Sequence, residues 1–401
     1  MTLDLRGLPV IDDHVHVWDE EATRPGFDPL TTVSLGGTEP EFLESGGHTV
    51  TDAERAALER NLQSTLGYQY AVHALASMLD CEPMARAVRE ARDRTCANFA
   101  AYTSRLYRDI NLELALIDVG LGSADLDGFA RLSGVPCKGV FRIEPLLASL
   151  WDEHDRVETF DRAFIDALRR EVATGRYVSL KSIIAYRTGL EVHPHDAHTV
   201  SRSFDTLKRS PRASGLMRKV HVDREDRPHV KVLRDHWVWR ALEESIELDL
   251  PFQIHTGMGD QDIDINTARP GLLGAIFRDE RLRHARIVLL HGAYPFHEEA
   301  AYLVNVFPNV YLDLSEHNLF LGLAVADVLR PVFALAPFSK LLFGTDAYRS
   351  PDLQWIASRA TIDAMAHVLG GFVDAGAMPA PAAMDAAGAI LSRNARELYR
   401  L

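Results

Sequence analysis

The sequence predicts an α/β chain folded as a (β/α)8 TIM barrel, with helical insertions between strands 1 and 2 and between strands 4 and 5. Three observations predict it. Short apolar runs recur along the chain, and longer segments with helical spacing separate them. Several of the runs, such as ARIVLLHGA and SKLLFGTD, are apolar throughout, as strands covered on both faces are.

The elements follow in order. The first strand is expected at Pro9–His14. The first insertion, about residues 20–110, holds at least two helices. One of them, Thr51–Leu62, opens with Thr51 as N-cap and Glu54 at capping-box spacing. The next strands are expected at Leu114–Val119, Lys138–Ile143 and Tyr177–Ile184. Before the fourth, Asp161–Val172 places Phe164, Ile165, Leu168 and Val172 on one stripe. The second insertion, about residues 190–229, is rich in His, Arg and Asp. After it, Trp237–Leu248 aligns Trp237, Ala241, Ser245 and Leu248. The last four strands are expected at Phe252–His255, Ile287–His291, Val310–Leu314 and Leu341–Gly344, and the last helix at Ala382–Leu398. No repeat, low-complexity tract or clear linker divides the chain, so residues 1–401 read as one domain. Insertions in this fold sit over the catalytic mouth and set substrate choice.

Composition narrows the function. At 47% hydrophobic and 25% charged, the 401 residues can build a large core. A net charge of -14 repels phosphate backbones and anionic lipid, so the expected partner is a small-molecule substrate, not nucleic acid or a membrane. A homo-oligomer is compatible with the composition. Cys81, Cys96 and Cys137 are odd in number and lack C-x-x-C spacing, which argues against a disulfide framework. Met1 to Val10 has no apolar core of signal-peptide length, and no stretch approaches a membrane span, so the cytoplasm is the expected compartment.

Chemistry-bearing residues gather at the predicted strand ends. The first strand closes in Asp12-Asp13-His14-Val15-His16, and alternation puts His14 and His16 on one face. Two neutral imidazoles so placed can bind one metal ion, although H-x-H alone is a weak sign. His255 ends the fifth strand, His291 the sixth, and Asp346 follows the eighth. A lone strand-end His is more often hydrogen-bonded structure, and a lone Asp before a helix is more often an N-cap. One metal site at the catalytic end of a barrel accounts for all five more economically. Lys181 lies in the otherwise apolar YVSLKSIIAY. It either snorkels to solvent or is a desolvated amine that reacts with carbon dioxide to give an anionic carbamate able to bridge two metal ions. The latter reading fits the other residues better.

Other motifs fail. His297-Glu298 lacks the second His of H-E-x-x-H, because position 301 is Ala. Asp260, Asp262, Asp264 and Asn266 alternate like a calcium loop, but Ile265 and Gly271 stand where the glycine and glutamate belong. No Walker-type or dinucleotide glycine fingerprint and no G-x-S-x-G occurs.

In this order, H-x-H, Lys, His, His and Asp, the residues resemble the ligand set of the amidohydrolase superfamily. The resemblance covers nearly the whole chain and is closest to the amidohydrolase-2 (amidohydrolase-related) group. KSIIAYRTGLEV and QIHTGMGDQDIDIN resemble the amidohydrolase domain that some proteins fuse to a glutamine-synthetase-like domain. It implies that His14, His16 and Asp346 hold the more buried metal, that His255 and His291 hold a second, and that a carbamylated Lys181 bridges them. It implies zinc as the first-choice ion, two per chain, with hydrolysis of an amide C–N bond by metal-activated hydroxide and Asp346 as general base and acid. The expected substrate is small and polar, an amino-acid or γ-glutamyl amide. Tyr186, Arg187, Asp260, Asp262, Tyr294 and His317 are its expected contacts, with Glu316 beside His317 and Arg142 at the end of the third strand also near the mouth. For each, a structural salt bridge or cap is an equal alternative. The group also contains one-metal nonoxidative decarboxylases, so that activity, with Lys181 unmodified, is the first alternative. A non-catalytic barrel that keeps its metal is the second.

Overall fold

The computed structural model describes residues 3–18, 20–33, 51–120 and 125–401. Eight parallel strands follow one another in chain order: β1 (Val10–Val15), β2 (Leu112–Asp118), β3 (Cys137–Arg142), β4 (Tyr177–Ser182), β5 (Phe252–Ile254), β6 (Ile287–Leu289), β7 (Val310–Asp313) and β8 (Leu341–Leu342). Backbone bonds from Asp13 N–H to Phe343 C=O (2.9 Å) and from Asp346 N–H to His14 C=O (2.8 Å) join the β8 end to β1, so the sheet curls into a nearly closed barrel. All eight strands fall where the sequence places them. His255, His291 and Gly344, read as strand residues, lie just past the strand ends, where the backbone turns into the mouth loops.

Both barrel faces are apolar, for two different reasons. Inside, Ile11, Leu116, Val140, Val288, Leu290 and Leu342 pack together, and Ala395, Leu398 and Tyr399 from the last helix join them. Outside, the strands meet the surrounding helices. Val157–Ala173 buries Phe164, Ile165 and Leu168 as its spacing predicts, with Val172 half-buried. The helix carrying Trp237, Ala241 and Ser245 runs from Arg227 to Glu247, longer than its apolar stripe, and begins with Pro228 in its first turn. Asp52–Gln63 carries the full Thr51–Glu54 capping box. The expected last helix is interrupted: Ala380–Gly388 and Asn394–Tyr399 are joined through a π-helical turn at Ala389–Arg393.

The first insertion also contains helices Leu66–Leu79, Ala85–Cys96 and Phe99–Asp109. Its residues 34–50 lie outside the described residues. Cys81, Cys96 and Cys137 are free thiols. No described helix is long and apolar enough to cross a membrane.

Candidate metal centre

Register sets the floor of the mouth. Lys181 on β4 lies opposite Arg142 on β3 and Gln253 on β5. The sequence reading did not single out Gln253, yet it orients His14. Its amide nitrogen donates to the Asp13 carbonyl (3.0 Å) and to the Tyr399 hydroxyl (2.9 Å). Gln253 Oε1 is thereby left to accept from His14 Nδ1 at 2.8 Å, so His14 Nε2 keeps its lone pair toward the mouth.

The same logic fixes two more imidazoles. The Ser315 hydroxyl donates to Asp313 and accepts from His291 Nδ1 at 2.8 Å. His291 Nε2 is buried without a partner. His255 donates from Nε2 to the Met258 carbonyl at 2.7 Å, which leaves Nδ1 unprotonated. The His255 and His291 rings lie 4.3 Å apart, and those of His14 and His291 lie 5.5 Å apart. Asp346 Oδ1 sits 3.2 Å from Nε2 of both His14 and His16 and makes no hydrogen bond.

Three non-glycine residues at the strand ends adopt left-handed backbone: His291 (φ 69°), Glu316 (φ 61°) and Asp346 (φ 53°). Such strain persists only where its surroundings enforce it, and it aims these side chains at one point. Ligand atoms of three overlapping trios, His14/His16/Asp118, His14/His291/Asp346 and His255/His291/Glu316, lie within 4.8 Å of one another. Buried lone pairs converge here with few protons between them. That is an arrangement a divalent cation satisfies, and the donor set suits one.

The electrostatics agree. Burial, helped by Lys181, lowers His14 to about 4 and His255 to about 3. Burial holds His291 well below its ordinary value. All three are neutral at pH 7, the form that binds metal. Burial pushes the Asp346 carboxyl upward, and positive charge on His291, His14 or His16 beside it is what would bring it well below its usual range.

Asp118, at the end of β2, was not foreseen either. Its carboxylate takes Arg142 Nη2 at 2.6 Å and Nε at 3.1 Å, and Lys181 Nζ at 2.9 Å. Burial opposes its charge, but the two cations hold it well below the carboxylate range. Lys181 Nζ also lies 2.8 Å from His14 Nε2, so Lys181 is part of the cluster and does not snorkel to solvent.

Above the cluster opens a cavity of about 340 Å³, walled in part by Tyr186, Arg187, Asp260, Asp262 and Glu316. The Tyr186 ring lies 4.6 Å from that of His255, and its hydroxyl accepts from Asp260 N–H at 3.3 Å. Arg187 Nε is buried with no partner. Tyr294 and His317 are not among the lining residues: their rings stack on each other at 6.1 Å, and His317 is buried against Gly292 with Nδ1 donating to the Ser315 carbonyl at 2.8 Å. The second insertion reaches the cavity through Val220, whereas no described residue of the first lines it. Helices of the first insertion instead border a larger groove of about 1050 Å³, which includes Tyr70, Arg105 and Trp355 and contains none of the cluster residues.

A parallel eight-stranded barrel with a buried histidine–carboxylate cluster at its C-terminal end defines the metal-dependent barrel hydrolases and their relatives. Residues 148–401 match the family model described as amidohydrolase, and the chain belongs to that family. It is similar to the protein fluG of Emericella nidulans, 31% identical over 381 residues and 88% of this chain; the match spans 42% of the fungal protein's length. A candidate metal-dependent hydrolase from Lactobacillus casei superposes with a TM-score of 0.80 at 26% identity, covering 99% of this chain and 96% of that one. Uronate isomerase from Thermotoga maritima shares the fold, with a TM-score of 0.68 at 13% identity over 98% of this chain and 95% of its own.

Proposed function

We propose that this chain hydrolyses the amide C–N bond of a small substrate bearing both a carboxylate and an ammonium group, such as an amino-acid or γ-glutamyl amide. The observation that carries it is the convergence of neutral His14, His255 and His291 with ionised Asp346 beneath a cavity whose wall carries both charges. His14, His16 and Asp346 would hold a divalent ion, zinc being the first choice for such donors. When bound, the ion supplies Lewis-acid polarisation of a carbonyl and acidifies water.

The chain's own residues do the rest. Asp346, ionised at neutral pH, accepts the proton of the attacking water and returns it to the leaving nitrogen. Gln253 and Ser315 fix the tautomers of His14 and His291. Arg187, with a buried unpartnered Nε, receives the substrate carboxylate, and Asp260 and Asp262 accept from its ammonium. Val220 and its segment bound the pocket and contribute to substrate choice.

The Asp346→Asn variant tests the role of Asp346. It removes the proton acceptor while keeping shape, and turnover of γ-glutamyl amides should fall by at least about 100-fold with the circular dichroism spectrum unchanged. Near-normal turnover would rule the role out. The Lys181–Asp118 ion pair favours one further reading, a one-metal decarboxylase in which unmodified Lys181 holds a substrate carboxylate. Release of carbon dioxide from a carboxylated aromatic acid, without amide hydrolysis, would select it.

A further inference from the structure

The insertion helix Leu66–Leu79 carries two apolar faces. One, with Tyr68, Ala71, Val72, Leu75 and Ala76, is buried. Steps of four residues put Leu66, Tyr70, Ala74 and Met78 in another row, and that row lines the groove of about 1050 Å³. Leu66 is 57% exposed, and Leu323 in the same lining is 56% exposed. Trp355, from the helix Pro351–Asp374, adds an aromatic side chain. A helix apolar around most of its girth normally has every such side covered.

The groove is also cationic, on a chain whose net charge is -14. Arg6, Arg105, Arg108 and Arg359 line it together with two carboxylates, Asp109 and Asp363. Both carboxylates are already engaged. Asp109 accepts from Trp355 Nε1 at 2.9 Å, and Asp363 accepts from Arg359 Nη2 at 3.3 Å. Among the described residues no carboxylate pairs with Arg6, Arg105 or Arg108. Arg105 donates to the Met78 carbonyl, and Arg108 Nε to the Ser104 carbonyl at 3.0 Å. Two more donors in the lining lack acceptors. Arg359 Nη1 is buried without a hydrogen-bond partner, 3.8 Å from Asp109 Oδ2. The Tyr70 hydroxyl has no partner among the described residues, and burial pushes the phenol up, so it stays a neutral donor.

We propose that this groove binds one small amphipathic organic anion, an aryl or acyl body carrying a carboxylate or phosphate head. The body covers the Leu66–Met78 row, Leu323 and Trp355, and the head meets the free guanidinium groups. Arginine suits both head groups, because its planar fork matches their oxygens. A second copy of the chain docked patch to patch would set arginines against arginines, which repel. An inorganic anion would leave the apolar row bare. The volume suits a small molecule, since such sites run to about 1,000 Å³. No residue of the metal cluster lines the groove, so this site can fail while the catalytic reading stands, and the reverse.

The test titrates 1-anilinonaphthalene-8-sulfonate, an amphipathic aryl anion, into the full-length protein and reads its fluorescence. One saturable site per chain is expected. Decanoate, 1-naphthylacetate or 1-naphthyl phosphate should displace the probe, the strongest competitor identifying head and body. Arg105→Glu combined with Arg108→Glu, at two exposed positions, should weaken the probe at least about 10-fold with the circular dichroism spectrum unchanged. Leu323→Asp, also exposed, should weaken it as well. Arg187→Met, in the catalytic cavity, should leave it intact. Absence of a saturable site, undiminished binding in the double variant, or loss in Arg187→Met instead would each overturn the proposal. So would displacement by inorganic phosphate alone or by none of the three organic anions. A dimer in sedimentation velocity that the double variant dissolves would assign the groove to a second copy and overturn it too.

Discussion

Replacing Asp118 by Asn removes one negative charge and almost no volume, at a point where two cations meet. Arg142 is 8% exposed and Lys181 2% exposed, and both donate to the same carboxylate. Breaking a buried pair costs about 3–5 kcal/mol, because the surviving charge is stranded away from water. Two charges are stranded here. An Asn oxygen can still accept a bond, and Glu144 and Asp346 also favour the Arg142 cation. Those residues pull the expected loss to the lower end, about 3 kcal/mol. The assay is urea unfolding of chelator-treated protein, read by tryptophan fluorescence. A second substitution makes the cause identifiable. Lys181→Met removes one stranded cation, so adding it to Asp118→Asn should recover about 1.5 kcal/mol or more, a coupling far outside additivity. A loss below about 1 kcal/mol in Asp118→Asn would refute the reasoning. So would strict additivity in the cycle, since it would mean that Lys181 does not depend on Asp118.

Two further outcomes follow from the geometry. Arg187→Met should remove a charge-assisted contact with the substrate carboxylate, worth about 1.5–3 kcal/mol. The value of kcat/KM should then fall about 10- to 150-fold, mostly through KM, while amides lacking the carboxylate are turned over unchanged; equal losses on both substrates would exclude the contact. Asp12 should make metal-free protein less stable as pH rises. Burial lifts its carboxyl from 3.8 to about 7 despite bonds from Thr345 and Gln354. A raised acid contributes stability that is present below the unfolded value and lost as pH climbs through the folded one. At about 1.4 kcal/mol per pH unit of full proton difference, and with both forms only partly titrated at the ends of the range, wild type should lose about 3 kcal/mol between pH 4 and pH 7 relative to non-titrating Asp12→Asn. Urea unfolding of both proteins across that range checks it, and a flat difference would contradict the assignment.

The eight strands were legible because strands covered on both faces must be apolar, and a run such as RIVLL leaves little else to be. The strand-end histidines were legible because a polar residue ending such a run calls for an explanation. Asp118, Gln253 and Glu316 gave weaker signals, each for a physical reason. Asp118 is one acid among many at the end of a strand, and its meaning lies in Arg142 and Lys181, which strand register brings beside it. Gln253 sits mid-strand, and only its neighbour across the barrel shows that it sets a tautomer. Glu316 follows a strand as a loop residue would, and the positive φ that turns it inward has no mark in the sequence. Tyr294 and His317 show the converse. Proximity in sequence to His291 and Glu316 put them at the mouth, but stacking on each other keeps them out of the cavity lining.

The distribution of charge around the barrel orients a substrate before any specific contact is made. Cations come from the β3–β4 side: Arg142 ends β3, Lys181 lies on β4, and Arg187 follows it. Metal-type donors come from the β5–β8 side and from β1, with His255, His291, Glu316 and Asp346 following β5, β6, β7 and β8. A molecule with a carboxylate at one end and an amide at the other satisfies both sides in one orientation only, carboxylate toward β4 and carbonyl toward β1 and β8. Reversed, it would leave the buried Arg187 Nε unpaired and bring its ammonium end toward the cations of the β3–β4 side. Neutralising Arg187 therefore removes more than affinity. It removes the penalty that excludes the reversed pose, so Arg187→Met should also show substrate inhibition by carboxylate-bearing amides, which amides lacking the carboxylate should not show.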